Sequence, residues 1–357
     1  MADPIKVLIV DDSRLFRAAL EDALAGQEDI RVIGSVFSGA KALEFIRQSP
    51  PHVVTLDVEM PGMNGVETLE QIQALIAAGV APASLGVVMV SAFTRRGADI
   101  TVKALEAGAF DFVTKPSASS PEEGLQMLRD EVLPKIRACA RRLPRIASAP
   151  FRVPPVRPTA ARPSNIRTIV IGASTGGPRA LSVLLPDLCS QTDLPILLVQ
   201  HMPAGFTASL AESLARQTKK RVVEAADGMP IEKNSVYIAP GGRHLLIRGN
   251  SIAPVTGLTD QPPENGCRPS ADVLFRSAAT CFGSSAVAVI LTGMGRDGTV
   301  GLGALKRAGA RVFAQDQETS VVWGMPGSAV EAGVADEVLP LPRIAPAIAA
   351  FINQLKA

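Results

Sequence analysis

Short aliphatic runs alternate with segments of helical periodicity in the first third of the chain. The runs are Val7-Leu8-Ile9-Val10, Val53-Val54-Thr55-Leu56, Val87 to Val90, and Phe110 to Thr114. Strand-like runs separated by helical segments are typical of a parallel sheet whose connections are helices. The pattern therefore predicts an α/β domain from Lys6 to about Ser117.

The same alternation restarts at Arg167. The second set of runs is Thr168 to Ile171, Ile196 to Val199, Val236 to Ile238, and Val287 to Leu291. Within this region, His244 to Val255 has two alternating runs around Gly249-Asn250, which predicts an inserted β-hairpin. The chain has 357 residues, enough for two α/β domains that each bury a core.

A segment of different composition separates the two regions. Pro121 to about Arg142 has a helical pattern. Pro144 to Pro163 is rich in Pro, Ala, Ser and Arg, a composition that buries little apolar surface and predicts a linker. We therefore expect a first domain over residues 1–125, a helix and linker over residues 126–164, and a second domain over residues 165–357.

Charge and cysteine usage exclude several classes of protein. The formal net charge is +2, and the arginines concentrate between Arg137 and Arg167, so we expect no nucleic-acid function. The uncharged stretch Gln71 to Thr94 is divided by Gly79, Pro82 and Gly86, so we expect no transmembrane segment. The chain has four cysteines, which lie far apart in the sequence: Cys139, Cys189, Cys267 and Cys281. This spacing favours reduced thiols in a cytoplasmic protein. We also expect the protein to be a monomer.

Polar residues follow the runs of the first domain at the predicted carboxyl ends of strands, where parallel sheets place functional groups. They are Asp11, Asp12, Asp57, Ser91 and Lys115. Three carboxylates at one edge repel each other unless a cation neutralises them, and oxygen ligands suit Mg²⁺. One carboxylate could then attack phosphorus while Lys115 and Ser91 stabilise the incoming phosphoryl group. Alternatively, the paired acids cap a helix at Ser13, and Asp57 and Lys115 form an unrelated surface ion pair.

The motifs around these residues are Val10-Asp11-Asp12-Ser13, Leu56 to Gly62, Val90-Ser91-Ala92, and Thr114-Lys115-Pro116. Over roughly residues 5–125 the chain resembles the receiver domain of two-component response regulators, which implies a flavodoxin-like (βα)5 fold. The resemblance implies that a histidine kinase phosphorylates Asp57. It also implies that Asp12 and Asp57 bind Mg²⁺ directly, that Asp11 acts through water, and that the Glu59 carbonyl completes the ligand set.

Three further positions match the switch residues of receiver domains: Ser91, Phe112 and Lys115. By resemblance, Ser91 and Phe112 rearrange when the aspartate is phosphorylated, which changes a neighbouring surface. Phe112 could equally be an ordinary core residue, because phenylalanine is often buried. Both interpretations stay open at this point.

A glycine-rich turn follows the first run of the second domain, with the sequence Gly172-Ala173-Ser174-Thr175-Gly176-Gly177-Pro178. Small residues permit a sharp strand-to-helix turn that exposes Ser174 beside free N–H groups, and Pro178 suits the first helical position. The turn matches the G-x-S-x-G elbow of serine hydrolases, although such a turn could also bind a phosphate.

A serine nucleophile needs a base and an acid at the same edge of the sheet. His201 directly follows a predicted strand, whereas His52 precedes one and His244 opens the predicted hairpin. Asp297 lies in a glycine-flanked loop after another strand, where it could instead be the N-cap of a helix that begins near Gly298. The order Ser, His, Asp differs from that of α/β-hydrolases and disfavours that family, but triads occur on several folds.

Over residues 165–355 the chain resembles the catalytic domain of the protein-glutamate methylesterases of bacterial chemotaxis, the CheB family. The matching stretches are Ile171 to Pro178, Gln200 to Phe206, Tyr237 to Gly242, Leu291 to Gly298, and Gln315-Asp316 through Gly324 to Gly327. The resemblance implies a doubly wound, Rossmann-like parallel sheet with the hairpin inserted into it.

The same resemblance implies a mechanism. Ser174 attacks a glutamyl methyl ester, His201 takes its proton and returns one to methanol, and Asp297 orients the imidazole. N–H groups near Thr175 and Met294 form the oxyanion hole, and the esterase needs no cofactor. Certain glutamines would be deamidated by the same chemistry.

The implied partners are methyl-accepting chemoreceptors as substrate and a chemotaxis histidine kinase as phosphodonor, and the unphosphorylated receiver would cover the esterase cleft.

Two rival functions stay open. One is a hydrolase of another ester or of a peptide. The other is a non-enzymatic module that binds receptors or accepts phosphate and carries an inactive esterase site.

Overall fold

The computed structural model describes residues 3–141 and 165–355, which form two compact units. The predicted linker, Pro144 to Pro163, lies outside the described residues, and the domain boundaries stay a prediction. Within the described ranges no helix is long and apolar enough to cross a membrane.

The first unit is a five-stranded parallel sheet with helices between the strands, in the order β2-β1-β3-β4-β5. Its strands are β1 (Ile5–Val10), β2 (Ile30–Val36), β3 (Val53–Asp57), β4 (Gly86–Ser91) and β5 (Asp111–Thr114). Its helices are α1 (Arg14–Leu24), α2 (Gly39–Gln48), α3 (Gly65–Ala77), α4 (Arg95–Glu106) and α5 (Pro121–Ala140). The flavodoxin-like fold expected for this region is confirmed.

Local sequence explains where these helices begin. Each has a short polar N-cap side chain that accepts a hydrogen bond from a backbone N–H of the first turn, which satisfies a donor that the helix itself leaves unpaired. The caps are Ser13, Ser38, Asn64, Thr94 and Ser120. Asn64 forms a complete capping box with Glu67.

The second unit is a seven-stranded parallel sheet in the order β14-β13-β12-β6-β7-β9-β8, with a separate two-stranded hairpin, β10-β11. Its strands are β6 (Thr168–Ala173), β7 (Ile196–Gln200), β8 (Arg221–Glu224), β9 (Ser235–Ile238), β10 (His244–Gly249), β11 (Pro254–Thr259), β12 (Ala286–Ile290), β13 (Arg311–Gln315) and β14 (Glu337–Leu339). Its helices are α6 (Gly177–Gln191), α7 (Phe206–Thr218), α8 (Ala271–Phe282), α9 (Thr299–Arg307), α10 (Met325–Glu331) and α11 (Leu341–Gln354).

The strand order reverses between β6 and β12, which lie side by side although five strands separate them in the chain. Such a switch point opens a crevice at the carboxyl ends of the two strands, where doubly wound proteins bind their ligands. The doubly wound sheet and the inserted hairpin are confirmed. The hairpin continues past Val255 to Thr259, because His244 pairs with Thr259 at its open end.

Candidate functional sites

The structure brings together the three carboxylates predicted in the first unit. Ligand oxygens of Asp11, Asp12 and Asp57 lie within 4.8 Å of one another, with Asp11 and Asp57 buried and Asp12 exposed. The idea that the paired acids cap a helix is wrong: the Ser13 hydroxyl accepts the cap hydrogen bond from the Phe16 N–H at 3.3 Å. This set of hard oxygen donors, open to solvent at Asp12, fits Mg²⁺, which retains several waters.

Lys115 is part of this acid pocket and does not form a separate surface pair with Asp57. Its ammonium nitrogen lies 2.8 Å from Asp11 Oδ2 and 3.0 Å from Asp57 Oδ2, and 4.7 Å from the centre of the Phe16 ring. Burial and the neighbouring charge of Asp11 raise the pKa of Asp57 to about 6, although Lys115 lowers it. One ammonium group therefore leaves the pocket short of positive charge, and a cation would supply it.

Two of the three predicted switch residues, Ser91 and Phe112, are buried. Ser91 ends β4 and is fully buried against the start of α4, where a Cβ on Gly97 would come within 3.0 Å of its hydroxyl oxygen. Phe112 is 4% exposed in β5, and the Lys135 ammonium lies 5.3 Å from its ring centre. Phe112 is thus a core residue in this structure, and its rearrangement on phosphorylation stays a prediction.

Ser174 lies on the sharp turn between β6 and α6. Its N–H donates to the Thr292 carbonyl at 3.0 Å, and its carbonyl accepts from the Gly177 N–H at 2.7 Å. Gly176 has φ +77°, and a Cβ there would lie 2.5 Å from Val321 Cβ, so only glycine fits this turn. Pro178 is the second residue of the helix, slightly later than predicted.

His201 stands beside Ser174 because their strands are in register. Ala173 and Gln200 are partners in the β6-β7 ladder, and the His201 N–H donates to the Ala173 carbonyl at 3.1 Å. The buried Gln200 amide nitrogen also donates to the Ser174 carbonyl at 2.9 Å. The backbone therefore fixes the nucleophile candidate and the base candidate as neighbours at one edge of the sheet.

Asp297 comes from the loop after β12, on the other side of β6. Its Oδ2 lies 2.8 Å from His201 Nε2, and the side chain is 2% exposed. The alternative role as N-cap of the following helix is wrong, because Gly298 is that cap and provides no side-chain hydrogen bond. Asp297 instead accepts from the N–H of Ala271 at 2.6 Å and from the Ser270 hydroxyl at 2.7 Å, so it caps α8.

The electrostatics of this pair follow from those contacts. Burial alone would raise the pKa of Asp297, but hydrogen bonds from His201, Ser270 and Ala271 hold it well below its usual value. The positive end of the α8 dipole acts in the same direction. Burial alone would lower the pKa of His201, but its hydrogen bonds with Asp297 and Cys267 raise it to about 9. The contact with Asp297 therefore stabilises the protonated form of His201 relative to the neutral one.

The loop before α8 supplies contacts that the sequence analysis missed. The Asn265 side-chain nitrogen donates to Asp297 Oδ1 at 3.0 Å and to Asp272 Oδ2 at 2.9 Å. Cys267 Sγ lies 3.4 Å from His201 Nδ1. The one available signal was the turn pair Asn265-Gly266 close before a helix start, but such a turn alone does not indicate which distant side chains it meets.

The two N–H groups predicted for the oxyanion hole lie on segments that are tied together. The Thr292 hydroxyl donates to the Thr175 carbonyl at 3.0 Å, and a Cβ on Gly293 would lie 2.8 Å from Ser174 Cβ. Among residues 3–141 and 165–355, the Met294 N–H has no hydrogen-bond acceptor. An unpaired donor next to the serine is available for a substrate oxygen.

Comparison with known proteins relates each unit to a protein family. Residues 169–348 match the family model of the CheB methylesterase, and residues 7–129 match that of the response regulator receiver domain. A protein-glutamate methylesterase/protein-glutamine glutaminase of Desulfotalea psychrophila is 42% identical over 96% of this chain and 96% of its own length. A relative with the same name from Geobacillus kaustophilus is 44% identical over 98% of this chain and 99% of its own. The crystal structure of the Thermotoga maritima CheB methylesterase catalytic domain is 42% identical, covers 53% of this chain and all of its own, and superposes with a TM-score of 0.51.

Proposed function

The chain belongs to the CheB methylesterase family, and from this premise we propose that it removes methyl groups from glutamates of chemoreceptors under the control of phosphorylation at Asp57. Family membership makes it a protein-glutamate methylesterase/protein-glutamine glutaminase with a receiver domain. The observation that supports the proposed mechanism is the meeting of Ser174, His201 and Asp297 at the ends of three adjacent strands, with a 2.8 Å contact from imidazole to carboxylate.

The nitrogen that serves Ser174 is Nδ1 of His201. Asp297 holds Nε2, so Nδ1 is the one ring nitrogen left to accept the serine proton. As Ser174 Oγ bonds to the ester carbonyl carbon, its proton passes to Nδ1, and the imidazolium then gives a proton to the departing methanol. Attack by water on the acyl-enzyme returns a free glutamate and the serine hydroxyl.

Charge develops on the carbonyl oxygen during both attacks. We assign its stabilisation to the N–H groups of Thr175 and Met294, which lie on the two segments joined through Thr292. In other hydrolases, removal of one such donor lowers kcat by about 10²–10³. Deamidation of a glutamine follows the same route, with ammonia leaving in place of methanol.

In the first unit we propose that Asp57 accepts the phosphoryl group. Asp12 and Asp57 would bind Mg²⁺ directly, with Asp11 acting through water and the Glu59 carbonyl as a further ligand. The ion would neutralise the carboxylates and the phosphoryl oxygens when bound. Lys115 already contacts both buried acids, so its ammonium group can stabilise the phosphoryl oxygens, and the Ser91 hydroxyl can do the same.

The partners we propose are methyl-accepting chemoreceptors as substrate and a chemotaxis histidine kinase as phosphodonor. Both act at the cytoplasmic side of a membrane, so we place the protein in the cytoplasm. Phosphorylation of Asp57 would raise the rate of demethylation by changing the surface near Ser91 and Phe112.

Methanol release from methylated receptor membranes tests this proposal. The wild type, Ser174→Ala and Asp57→Asn would be compared with and without acetyl phosphate and Mg²⁺. We expect Ser174→Ala to release no methanol and phosphodonor to stimulate the wild type but not Asp57→Asn. Two matched controls should behave like the wild type. They are Ser182→Ala, on helix α6 that follows the turn, and Asp22→Asn, at an exposed position. A wild type that takes phosphate but releases no methanol would mean that the second unit acts on another substrate.

A further inference from the structure

A second nucleophile lies beside His201. Cys267 Sγ is 3.4 Å from His201 Nδ1, and the other nitrogen of that ring is held by Asp297 at 2.8 Å. The thiol is partly exposed, so it is accessible to small reagents. A histidine beside a thiol can accept its proton during reaction, and a carboxylate on the other ring nitrogen stabilises the imidazolium that results.

The loop that carries Cys267 is held in place, so the contact is a fixed feature of the site. The Cys267 N–H donates to the Glu264 carbonyl at 2.9 Å, and the Glu264 N–H donates back to the Cys267 carbonyl at 3.1 Å. The Glu264 carboxylate then makes two hydrogen bonds of 2.6 Å with the Arg276 guanidinium on α8. Asn265 anchors the same loop to Asp297.

The other cysteines have different surroundings. Cys139 and Cys189 are buried, which hinders access to reagents. Burial raises the pKa of the thiols of Cys189 and Cys281, which lowers their thiolate content. Cys281 is partly exposed like Cys267, so it is an internal control for accessibility without the contact to His201.

The position of Cys267 also determines what a substituent on its sulfur would do. The thiol lies at Nδ1, the nitrogen that must accept the Ser174 proton in the proposed mechanism. An oxygen or alkyl group added to Sγ would stand against the imidazole edge at that nitrogen. The substituted enzyme would therefore lack its general base.

We propose that Cys267 is a redox-sensitive modification site through which peroxides inactivate the esterase reversibly. The loss of esterase activity rests on the proposed role of His201 as general base, whereas the reactivity of the thiol does not. When His201 is neutral, the Sγ proton passes to Nδ1, and the thiolate attacks one peroxide oxygen. An S–O bond forms as the O–O bond breaks, and the departing hydroxide takes a proton and leaves as water. Sulfur is oxidised by two electrons to a sulfenic acid, and the peroxide is reduced.

A thiol reductant reverses the step. One thiol displaces water from the sulfenic acid to give a mixed disulfide, and a second thiol releases Cys267 and forms the reductant disulfide. Iodoacetamide instead alkylates the sulfur with loss of iodide, which no thiol reverses. A comparison of the two reagents therefore distinguishes reversible oxidation of the Cys267 sulfur from its permanent blockage by an alkyl group.

The experiment treats the full chain with hydrogen peroxide or with iodoacetamide and follows methanol release and peptide labelling in parallel. We expect Cys267 to be alkylated at least about tenfold faster than Cys281. Activity of the wild type should fall in proportion to Cys267 modification, and dithiothreitol should restore only the peroxide-treated sample. Cys281→Ser should be inactivated like the wild type, whereas treated Cys267→Ser should keep the activity of its own untreated sample.

Equal labelling of Cys267 and Cys281, or equal inactivation of Cys267→Ser and the wild type, would overturn the proposal. His201→Gln gives a readout that does not depend on esterase activity, because loss of the imidazole should slow Cys267 alkylation by about tenfold. The rate of Cys267 alkylation can be measured even if Ser174→Ala proves active or Cys267→Ser fails to fold. The experiment therefore distinguishes an error in the proposed catalytic triad from an error in the proposed thiol site.

Discussion

Replacement of Asp297 by asparagine is expected to remove most esterase activity and to destabilise the second unit. The carboxylate accepts through Oδ2 from His201 Nε2 at 2.8 Å and from the Ala271 N–H at 2.6 Å. Oδ1 accepts from the Ser270 hydroxyl at 2.7 Å, from the Asn265 amide at 3.0 Å and from the Asp272 N–H at 3.3 Å. An amide has only one oxygen, so its NH2 group must face one of these two sets of donors.

The size of both effects follows from that mismatch. The Ser270 hydroxyl can rotate and accept from the new amide, but the Asn265 amide and the Asp272 N–H then face another donor, which costs about 1–3 kcal/mol. A weaker cap on α8 adds about 1 kcal/mol, so the free energy of unfolding should fall by about 2–4 kcal/mol. Loss of the anion that stabilises the imidazolium should lower kcat by about 10³–10⁴, and the pKa of His201 should fall below about 9.

Two measurements check this prediction. Trp323 is the one tryptophan of the chain and packs against the core of the second unit, so its fluorescence in urea reports the unfolding of that unit. Initial rates of methanol release at saturating substrate give kcat. Asp193→Asn is the control, because it removes an exposed ion pair with Lys233 and should leave kcat within about twofold. An Asp297→Asn enzyme that keeps more than about a tenth of wild-type kcat would refute the reasoning.

Three further outcomes are expected. The value of kcat/KM should rise with pH up to about pH 9, because only neutral His201 can accept a proton and the pKa of His201 is raised to about 9. A kcat/KM that does not change above pH 6 would contradict this expectation. Gly293→Ala should lower the free energy of unfolding by about 1–3 kcal/mol and also lower kcat, because its Cβ would lie 2.3 Å from Met325 Sδ and 2.8 Å from Ser174 Cβ. Gly303→Ala on α9 has room for a Cβ and should show the thermal unfolding of the wild type. Lys115→Met should raise the pKa of Asp57 above about 6, because the Lys115 ammonium group lowers that pKa; NMR titration of the carboxyl carbon measures it. An unchanged pKa would mean that Lys115 does not affect the ionisation of Asp57.

The sequence was sufficient to predict the residues that the backbone itself positions. Asp57 follows an aliphatic run directly, and Ser174 and His201 lie within three residues of the end of one. A parallel sheet brings the ends of its strands to one edge. Asp297 was recognisable because a glycine-flanked loop follows the run before it. The roles assigned to these residues stay predictions, but their meeting at two sites needed only strand periodicity and topology.

Four strands were not predicted from the sequence. Three of them, β2, β8 and β14, lie at the edges of their sheets, and the fourth, β13, is a central strand that begins and ends with a polar residue. β8 begins and ends with a charged residue, and β14 has three residues at the edge of the sheet. β2 is an edge strand of the first sheet, and only Ile30 in it is buried. An edge strand buries less surface than a central one and so has a weaker hydrophobic pattern.

The unpredicted contacts of the site come from tertiary packing. Asn265 and Cys267 precede a helix that lies over β6, and their partners are 32 and 66 residues away in the chain. No periodicity connects positions at such separations. They become neighbours only because α8 rests on Gly172, where any Cβ would lie 2.9 Å from Ala271 Cβ.

The strand order explains why the triad runs Ser, His, Asp along the chain and why Asp297 has two roles. β6 carries Ser174 in the middle, with β7 and His201 on one side and β12 and Asp297 on the other. The loop after β12 must cross the end of β6 to reach His201, and the N-terminus of α8 lies over the same place because Gly172 lets it approach. The carboxylate that orients the imidazole therefore also receives the N–H groups of α8. The losses of activity and of stability expected for Asp297→Asn thus arise from one set of hydrogen bonds, and a variant that restored the helix cap alone would recover stability without recovering kcat.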